Sequence, residues 1–335
     1  MNTNKQHIYF IGIGGIGMSA IARYYNAKGF KVSGYDKTPS PLTHALENEG
    51  IDVHYTDDIS YIPADVDNTL VVYTPAIPKD MGELVYVQEH GYRVIKRSRT
   101  LGEIAQGQRC MAVAGTHGKT TTSTLVSHLF TASGEGCSAF LGGISKNYDS
   151  NLLINENDVI VAEADEFDRS FLQLYPDAAV VTSADADHLD IYGTHEKVKE
   201  AFSQFISQIK EGGVLIIKKG VDVAITNDRI SVYRYSYNEE CDFYARNVEL
   251  LEGGYYRYDI VTPTGVVKGC TLGIPGWVNI ENSVAAVALL WAVERDIKDH
   301  DALRRALREF SGVKRRFEFY VNTPKAVYMD DYAHH

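Results

Sequence analysis

Cysteine is scarce and scattered: Cys110, Cys137, Cys241 and Cys270 are the four in 335 residues, and no two form a C-x-x-C pair. That excludes a disulfide-stapled domain and suggests neither zinc nor redox chemistry. Long apolar runs are lacking as well. None approaches the roughly 20 residues needed to span a bilayer, and the polar start from Met1 to His7 is no signal peptide. A cytoplasmic location with no membrane partner is therefore expected. Positive charge is in deficit, since 33 Lys and Arg against 44 Asp and Glu leave a formal net charge of -11. No nucleic-acid partner is expected, and any bound phosphate must be held by local groups and a metal ion. The length exceeds one typical core and implies two domains, with room for a fragment of a third.

The first hundred residues alternate short strands and helices: strands at Ile8 to Ile11, Val32 to Asp36, Ile51 to His54, Leu70 to Tyr73 and Arg93 to Ile95, and helices near Ile16 to Ala27 and Pro41 to Asn48. That alternation predicts a parallel sheet with covering helices. The polar, helical segment Arg97 to Arg109 closes this unit. Beyond it, strands are expected near Val159 to Ala162, Ala178 to Thr182 and Val214 to Ile217, with an amphipathic helix carrying Val198, Ala201, Phe202, Phe205, Ile206 and Ile209 on one side. The stretch Val232 to Leu272 reads as hairpins turning at Gly253-Gly254 and Thr264-Gly265. Residues Asn282 to Val293 are apolar nearly all round, as in a buried helix. The apolar strand Ala326 to Met329 has only Asp330-Asp331-Tyr332-Ala333-His334-His335 after it, so it is expected to lack a partner and to start a further domain.

The most informative stretch is Met111-Ala112-Val113-Ala114-Gly115-Thr116-His117-Gly118-Lys119-Thr120-Thr121, an apolar strand entering a turn of Gly, Lys and hydroxyls, then a helix. Glycines let backbone N–H groups converge on phosphate oxygens, the helix adds its positive N-terminus, Lys119 reaches the outer phosphates and Thr120 can ligate Mg2+. The ligand expected is a nucleoside triphosphate, even though the first glycine of G-x-x-x-x-G-K-[ST] would fall at Val113. A second glycine turn, Gly12-Ile13-Gly14-Gly15-Ile16-Gly17, follows the first strand with Asp36 closing the second. It suits any diphosphate-linked nucleotide, NAD or a UDP-sugar, with Asp36 either a ribose or base contact or a solvated strand end.

Acidic loops follow two later strands. Glu163-Ala164-Asp165-Glu166-Phe167-Asp168 offers carboxylates to a hard cation, Glu163 being nearest the strand. Asp185-Ala186-Asp187-His188-Leu189-Asp190 repeats the arrangement, so Glu163 and His188 can both approach the phosphate turn; capping is the other role open to His188. Asn279 and Asn282 either read an adenine edge or cap the buried helix. Gly312-Val313-Lys314-Arg315-Arg316-Phe317 is either a source of a guanidinium that clamps a γ-phosphate or a solvated basic linker.

Gly-Ile-Gly-Gly-Ile-Gly-Met-Ser at 12–19, Gly-Thr-His-Gly-Lys-Thr-Thr at 115–121, Glu-Ala-Asp-Glu at 163–166, Asp-His-Leu-Asp at 187–190, Arg-Arg-Phe at 315–317 and Asp-Asp-Tyr-Ala-His-His at 330–335 occur in one order. As a set they resemble the Mur ligases of peptidoglycan synthesis. The resemblance implies an α/β protein: a Rossmann-like parallel-sheet domain at 1–107 for a UDP-sugar, a P-loop ATPase-type α/β domain with an added β-rich segment at 108–325, and the start of a truncated C-terminal domain at 326–335. It implies Gly14, Gly15, Ile16, Gly17 and Asp36 for the UDP-sugar. Gly115, Thr116, His117, Gly118, Lys119, Thr120, Thr121, Asn279 and Asn282 would serve ATP. Thr120, Glu163 and His188 would hold Mg2+, and Lys119, Glu163, His188 and Arg316 would be catalytic.

Val278 stands where the family usually carries histidine, and Ser183 where asparagine is commoner. Phe202 or Ser203 stands where members acting later in the pathway carry a carbamylated lysine, which fits the alanine-adding branch. The implied reaction joins L-alanine to the lactyl carboxylate of UDP-N-acetylmuramate through an acyl phosphate, with little or no ligation expected of residues 1–335 alone. The rival readings are a ligase that adds a tripeptide to the same sugar, an NAD-dependent dehydrogenase, and a nucleotide-dependent switch.

Overall fold

The computed structural model describes residues 6–323 and 325–331, which form two compact units dividing between Ile104 and Ala105. In the first unit, strands β1 (His7–Ile11), β2 (Lys31–Tyr35), β3 (Asp52–His54), β4 (Thr69–Tyr73) and β5 (Arg93–Lys96) form a parallel sheet in the order β3-β2-β1-β4-β5. Ile8, Tyr9, Phe10 and Ile11 are wholly buried, as a central strand covered on both faces requires. Helices α1 (Ile16–Ala27), α2 (Pro41–Asn48), α3 (Gly82–Glu89) and α4 (Arg97–Ala105) complete the unit.

Helix α2 starts where its sequence says it should: Ser40 Oγ accepts from the Thr43 amide at 3.1 Å, Thr43 Oγ1 accepts from the Ser40 amide at 2.8 Å, and Pro41 follows the cap. Helix α3 had no such local signal. Its N-terminal amides, Gly82 and Glu83, donate to the Asp57 carboxylate at 2.8 and 2.9 Å, a cap supplied from 25 residues upstream.

His7 sits half-buried with Nε2 2.8 Å from Ser33 Oγ, and burial, then the Lys31 charge, lower its pKa to about 4. A histidine depressed in the folded state supports folding above its ordinary value and loses that support as pH falls toward 4. We expect His7→Gln to flatten the fall in urea midpoint between pH 6.5 and 4.5. Equal slopes for the two proteins would refute it.

The second unit follows with β6 (Arg109–Ala114), α5 (Lys119–Ser133), β7 (Ser138–Ser145), β8 (Ser150–Leu153), β9 (Val159–Ala164), β10 (Ala178–Val181), α6 (Leu189–Tyr192), α7 (His195–Ser207) and β11 (Val214–Lys218). Next come β12 (Ser231–Ser236), β13 (Phe243–Leu250), β14 (Tyr256–Thr262), β15 (Gly265–Thr271), α8 (Trp277–Glu294), α9 (His300–Glu309), β16 (Glu318–Thr323) and β17 (Ala326–Asp330). One ten-stranded sheet runs β15-β14-β13-β12-β11-β10-β6-β9-β7-β8, parallel from β13 to β7 and antiparallel at both margins. Helix α8, with Val284 to Leu289 at zero exposure, lies against α5 and β10 to β14. Among the described residues no helix is long and apolar enough to cross a membrane.

Two expectations are corrected. The segment from Val232 is not hairpins throughout, because β12 and β13 pair in parallel and only β13-β14-β15 fold back on one another. The strand at Ala326 is not alone: β16 pairs with it antiparallel, with the Thr323 hydroxyl bonded across the turn to both backbone groups of Ala326. Residues Tyr332 to His335 of the last motif lie outside the described residues.

Candidate active site

The phosphate turn is held from beside. Gly115 has φ +140°, and a Cβ there would lie 1.9 Å from Thr182 Oγ1 and 2.9 Å from the Ser183 amide, so the turn and the end of β10 touch through bare backbone. Thr182 Oγ1 donates to the carbonyls of Ala114 and His117. Ser183 Oγ accepts the His117 amide at 2.9 Å and lies 2.8 Å from Thr116 Oγ1, which in turn accepts the Asp185 amide at 3.2 Å. Val113, where a glycine would fill the general pattern, is instead an interior residue of β6 facing Val180 and Glu163 in register. Gly118 adopts φ +79° and gives way to α5, whose first residues are Lys119, Thr120 and Thr121.

Glu163 lies inside β9 rather than in the loop after it, and its carboxylate meets the first turn of α5. Oε1 accepts from Thr120 Oγ1 at 3.0 Å, and Oε2 from the Gly142 amide at 3.0 Å and Ser123 Oγ at 3.3 Å. Burial raises its pKa against the opposing pull of Lys119. Glu166, 1 % exposed, faces Lys119: Nζ donates to Oε1 at 2.9 Å, lies 2.8 Å from Oε2, and also donates to the Gly115 carbonyl at 2.7 Å. Its pKa too is raised by burial and opposed by Lys119. His188 Nε2 lies 3.8 Å from Glu166 Oε1 and 3.9 Å from Asp187 Oδ2. His188, Asp168 and Arg169 all adopt left-handed backbone, with φ 50°, 51° and 55°. Such conformations cost energy in non-glycine residues and concentrate at functional sites.

The amides of α8 neither cap that helix nor stand open. Asn279 Nδ2 donates to the Pro275 carbonyl at 2.6 Å, Asn282 Nδ2 to Asn279 Oδ1 at 3.1 Å, and Thr122 Oγ1 to Asn282 Oδ1 at 3.3 Å. A Cβ on Gly118 would lie 2.9 Å from that same Asn282 oxygen, so α8 buttresses the phosphate turn. Arg316 Nη2 donates to Thr120 Oγ1 at 3.3 Å. A cleft of about 370 Å3 is lined by residues 116–121, Glu163, Glu166, Asp187, His188, Val278, Asn279, Asn282, Arg316, Phe317 and Asp331. Within that lining the carboxylates of Glu163, Glu166 and Asp187, the Thr120 hydroxyl and the His188 imidazole make a donor set that suits a hard divalent cation. Among the described residues the ligand atoms that converge within 4.8 Å belong to Glu166, Asp187 and His188, while Glu163 stands on the Thr120 side.

Reasoning along the sequence missed Glu166 as the lysine's partner, and missed Thr182 and Ser183 as the clasp on the turn. Only their position at the C-terminal ends of adjacent strands could have pointed to them.

In the first unit the glycine turn follows β1, at the centre of a strand order that reverses there. Gly14 donates its amide to Asp36 Oδ2 at 2.7 Å, Thr38 donates to Oδ1 at 3.3 Å, and a Cβ on Gly14 would meet that carboxylate at 2.7 Å. Asp36 thus lies on the turn. Gly15 caps α1, Ile16 begins it, and Gly17 packs under the Arg97 guanidinium, with Nη1 2.8 Å from where its Cβ would be.

Residues 7–109 match the model of the Mur ligase family catalytic domain, and residues 113–290 that of the Mur ligase middle domain. The UDP-N-acetylmuramate–L-alanine ligase of Parabacteroides distasonis is 50 % identical over all of this chain and 73 % of its own length. That of Porphyromonas gingivalis is 48 % identical over 98 % and 73 %. Among solved structures, the UDP-N-acetylmuramate-alanine ligase of Thermotoga maritima superposes with a TM-score of 0.85 at 26 % identity, covering 98 % of this chain and 75 % of that one. A UDP-N-acetylmuramate:L-alanyl-gamma-D-glutamyl-meso-diaminopimelate ligase from Neisseria shares the fold, with a TM-score of 0.80 at 23 % identity over 92 % of this chain and 99 % of that one. A parallel sheet with a glycine turn, a phosphate turn with a buried lysine–carboxylate pair, and these matches along nearly the whole chain lead to one conclusion: the chain belongs to the Mur ligase family.

Proposed function

We propose that this chain is an ATP-dependent ligase that joins L-alanine to the lactyl carboxylate of UDP-N-acetylmuramate, in the building of peptidoglycan precursors. The observation that carries the reading is the cleft where Lys119, Thr120, Glu163, His188 and Arg316 meet at one phosphate turn. The 50 % identity to alanine ligases supports L-alanine over a tripeptide as the amine. We assign residues 1–107 to the UDP-sugar, residues 108–325 to ATP and residues 326–335 to the start of a third domain, and place the protein in the cytoplasm, where both nucleotides are found.

A carboxylate is a poor electrophile. Its oxygen must first bond to the γ-phosphorus of ATP as the bond to the ADP oxygen breaks, giving an acyl phosphate. The alanine nitrogen then attacks the acyl carbon, phosphate leaves with the bonding pair, and the amine proton is lost. In the first step the turn at Gly115 to Gly118 presents amides to phosphate oxygens, and Lys119 and Arg316 supply positive charge where the transferring group becomes more negative. Thr120, Glu163, Glu166, Asp187 and His188 would hold Mg2+, which when bound offsets phosphate charge as a Lewis acid. Asn279 and Asn282 keep Gly118 in place beneath the nucleotide. Gly14, Gly15, Ile16 and Gly17 would receive the sugar diphosphate, with Asp36 yielding the Gly14 amide to it.

Calorimetric titration tests this. We expect one site each for UDP-N-acetylmuramate and Mg-ATP and no heat with NAD, and, in the full-length protein, L-alanine rather than a tripeptide as the amine that completes turnover. Binding of NAD at the first glycine turn, or failure to bind Mg-ATP, would overturn it.

A further inference from the structure

The lysine of the phosphate turn is held by groups of the protein itself. Its ammonium spans both oxygens of Glu166, at 2.9 and 2.8 Å, and the Gly115 carbonyl at 2.7 Å. Glu166 is fixed from behind: its carbonyl accepts the Tyr192 hydroxyl at 2.6 Å, and the 3-10 turn that follows runs through the left-handed residues Asp168 and Arg169. We propose that Glu166 is a positioning residue that holds Lys119 in reserve and competes with the triphosphate for it, so that nucleotide enters productively only together with a divalent cation. This rests on the nucleotide reading above.

The charges decide the order of events. At the base of the cleft two buried carboxylates, Glu163 and Glu166, stand beside the Lys119 ammonium, with Asp187 and Arg316 also in the lining, so an anionic triphosphate meets carboxylates as well as cations. A triphosphate that draws Lys119 away leaves Glu166, 1 % exposed, without a counter-charge, and an uncompensated buried carboxylate is costly. Asp187 and His188 stand where they can share a cation with that carboxylate, their ligand atoms lying within 4.8 Å of it and of each other. A cation can therefore replace the ammonium on Glu166 as the ammonium moves to the phosphates.

The test is Glu166→Gln, which keeps an acceptor for Lys119 and removes the charge. ATP is titrated calorimetrically in EDTA and again with Mg2+. We expect Glu166→Gln to bind metal-free ATP about tenfold tighter than the parent protein and to gain nothing for Mg-ATP, because the carboxylate that takes over the cation is gone. Asp187→Asn removes an equal charge from the same cleft without touching Lys119 and is expected to give a smaller gain in EDTA. Glu166→Asp, which keeps the charge but draws it back from the ammonium, is expected to fall between parent and Gln and serves if the Gln variant melts early. Unchanged or weaker metal-free binding in the Glu166 variants, or an equal gain in Asp187→Asn, would overturn the proposal. A parent protein that binds neither form of ATP would instead overturn the nucleotide reading.

Discussion

In the full-length enzyme Lys119→Ala is expected to abolish acyl-phosphate formation, by about a thousandfold or more, while UDP-N-acetylmuramate binds as before. The loss is large because the transferring phosphoryl group depends on positioned charge, and Lys119 is the cation nearest the turn, its ammonium 2.7 Å from the Gly115 carbonyl. The sugar nucleotide is spared because the glycine turn after β1 belongs to the other compact unit, whose core of Tyr9, Ile11, Val71, Leu84 and Val87 contains no residue of the phosphate turn. The same substitution strands Glu166, and removing one partner of a buried pair costs about 3–5 kcal/mol, less when the carboxyl can take up a proton. The double variant Lys119→Ala with Glu166→Gln is therefore expected to melt higher than Lys119→Ala alone, yet to remain unable to form acyl phosphate. Trapping the acyl phosphate by reduction or hydroxylamine, beside melting curves, separates the two effects. Ligation retained by Lys119→Ala would remove the lysine from the mechanism.

Gly115→Ala is expected to destabilise the second unit by about 3–5 kcal/mol and to lose Mg-ATP binding with it. Its Cβ would sit 1.9 Å from Thr182 Oγ1 and 2.9 Å from the Ser183 amide, in a backbone conformation with φ +140° that L-residues avoid. The collision is with backbone and a strand-end side chain, so relief means lifting the turn off β10 and breaking the His117 amide bond to Ser183. Gly29→Ala is the comparison: φ is also positive, +83°, but nothing lies within 4 Å, so only the left-handed penalty of about 1 kcal/mol applies. Denaturant midpoints for the two variants measure the difference. Similar midpoints would mean that the clasp between the turn and β10 contributes nothing.

Much of the first unit was legible because its signals are local. Short apolar runs placed all five strands, and α2 falls at Pro41–Asn48 as expected, with its Ser40 cap and Pro41 adjacent in the sequence. Helix α3 was missed because its cap is Asp57, 25 residues away, whereas α9 was missed although Asp299 caps it locally, accepting from the Ala302 amide. The parallel pairing of β12 with β13, and the pairing of β16 with β17, depend on which strands lie side by side, which turn residues do not encode.

The chain alone determined that two glycine turns exist, each between a strand and a helix, and in what order, because each needs only closely spaced glycines, a preceding strand and a following helix, all written within about ten residues. What the tertiary structure decided is who faces whom. Lys119 meets Glu166 across 47 residues, and Asn282 holds the start of α5 through Thr122 across 160. Those pairings follow from parallel strands delivering distant loops to one sheet edge, where burial strengthens each charge and makes every unmatched one costly.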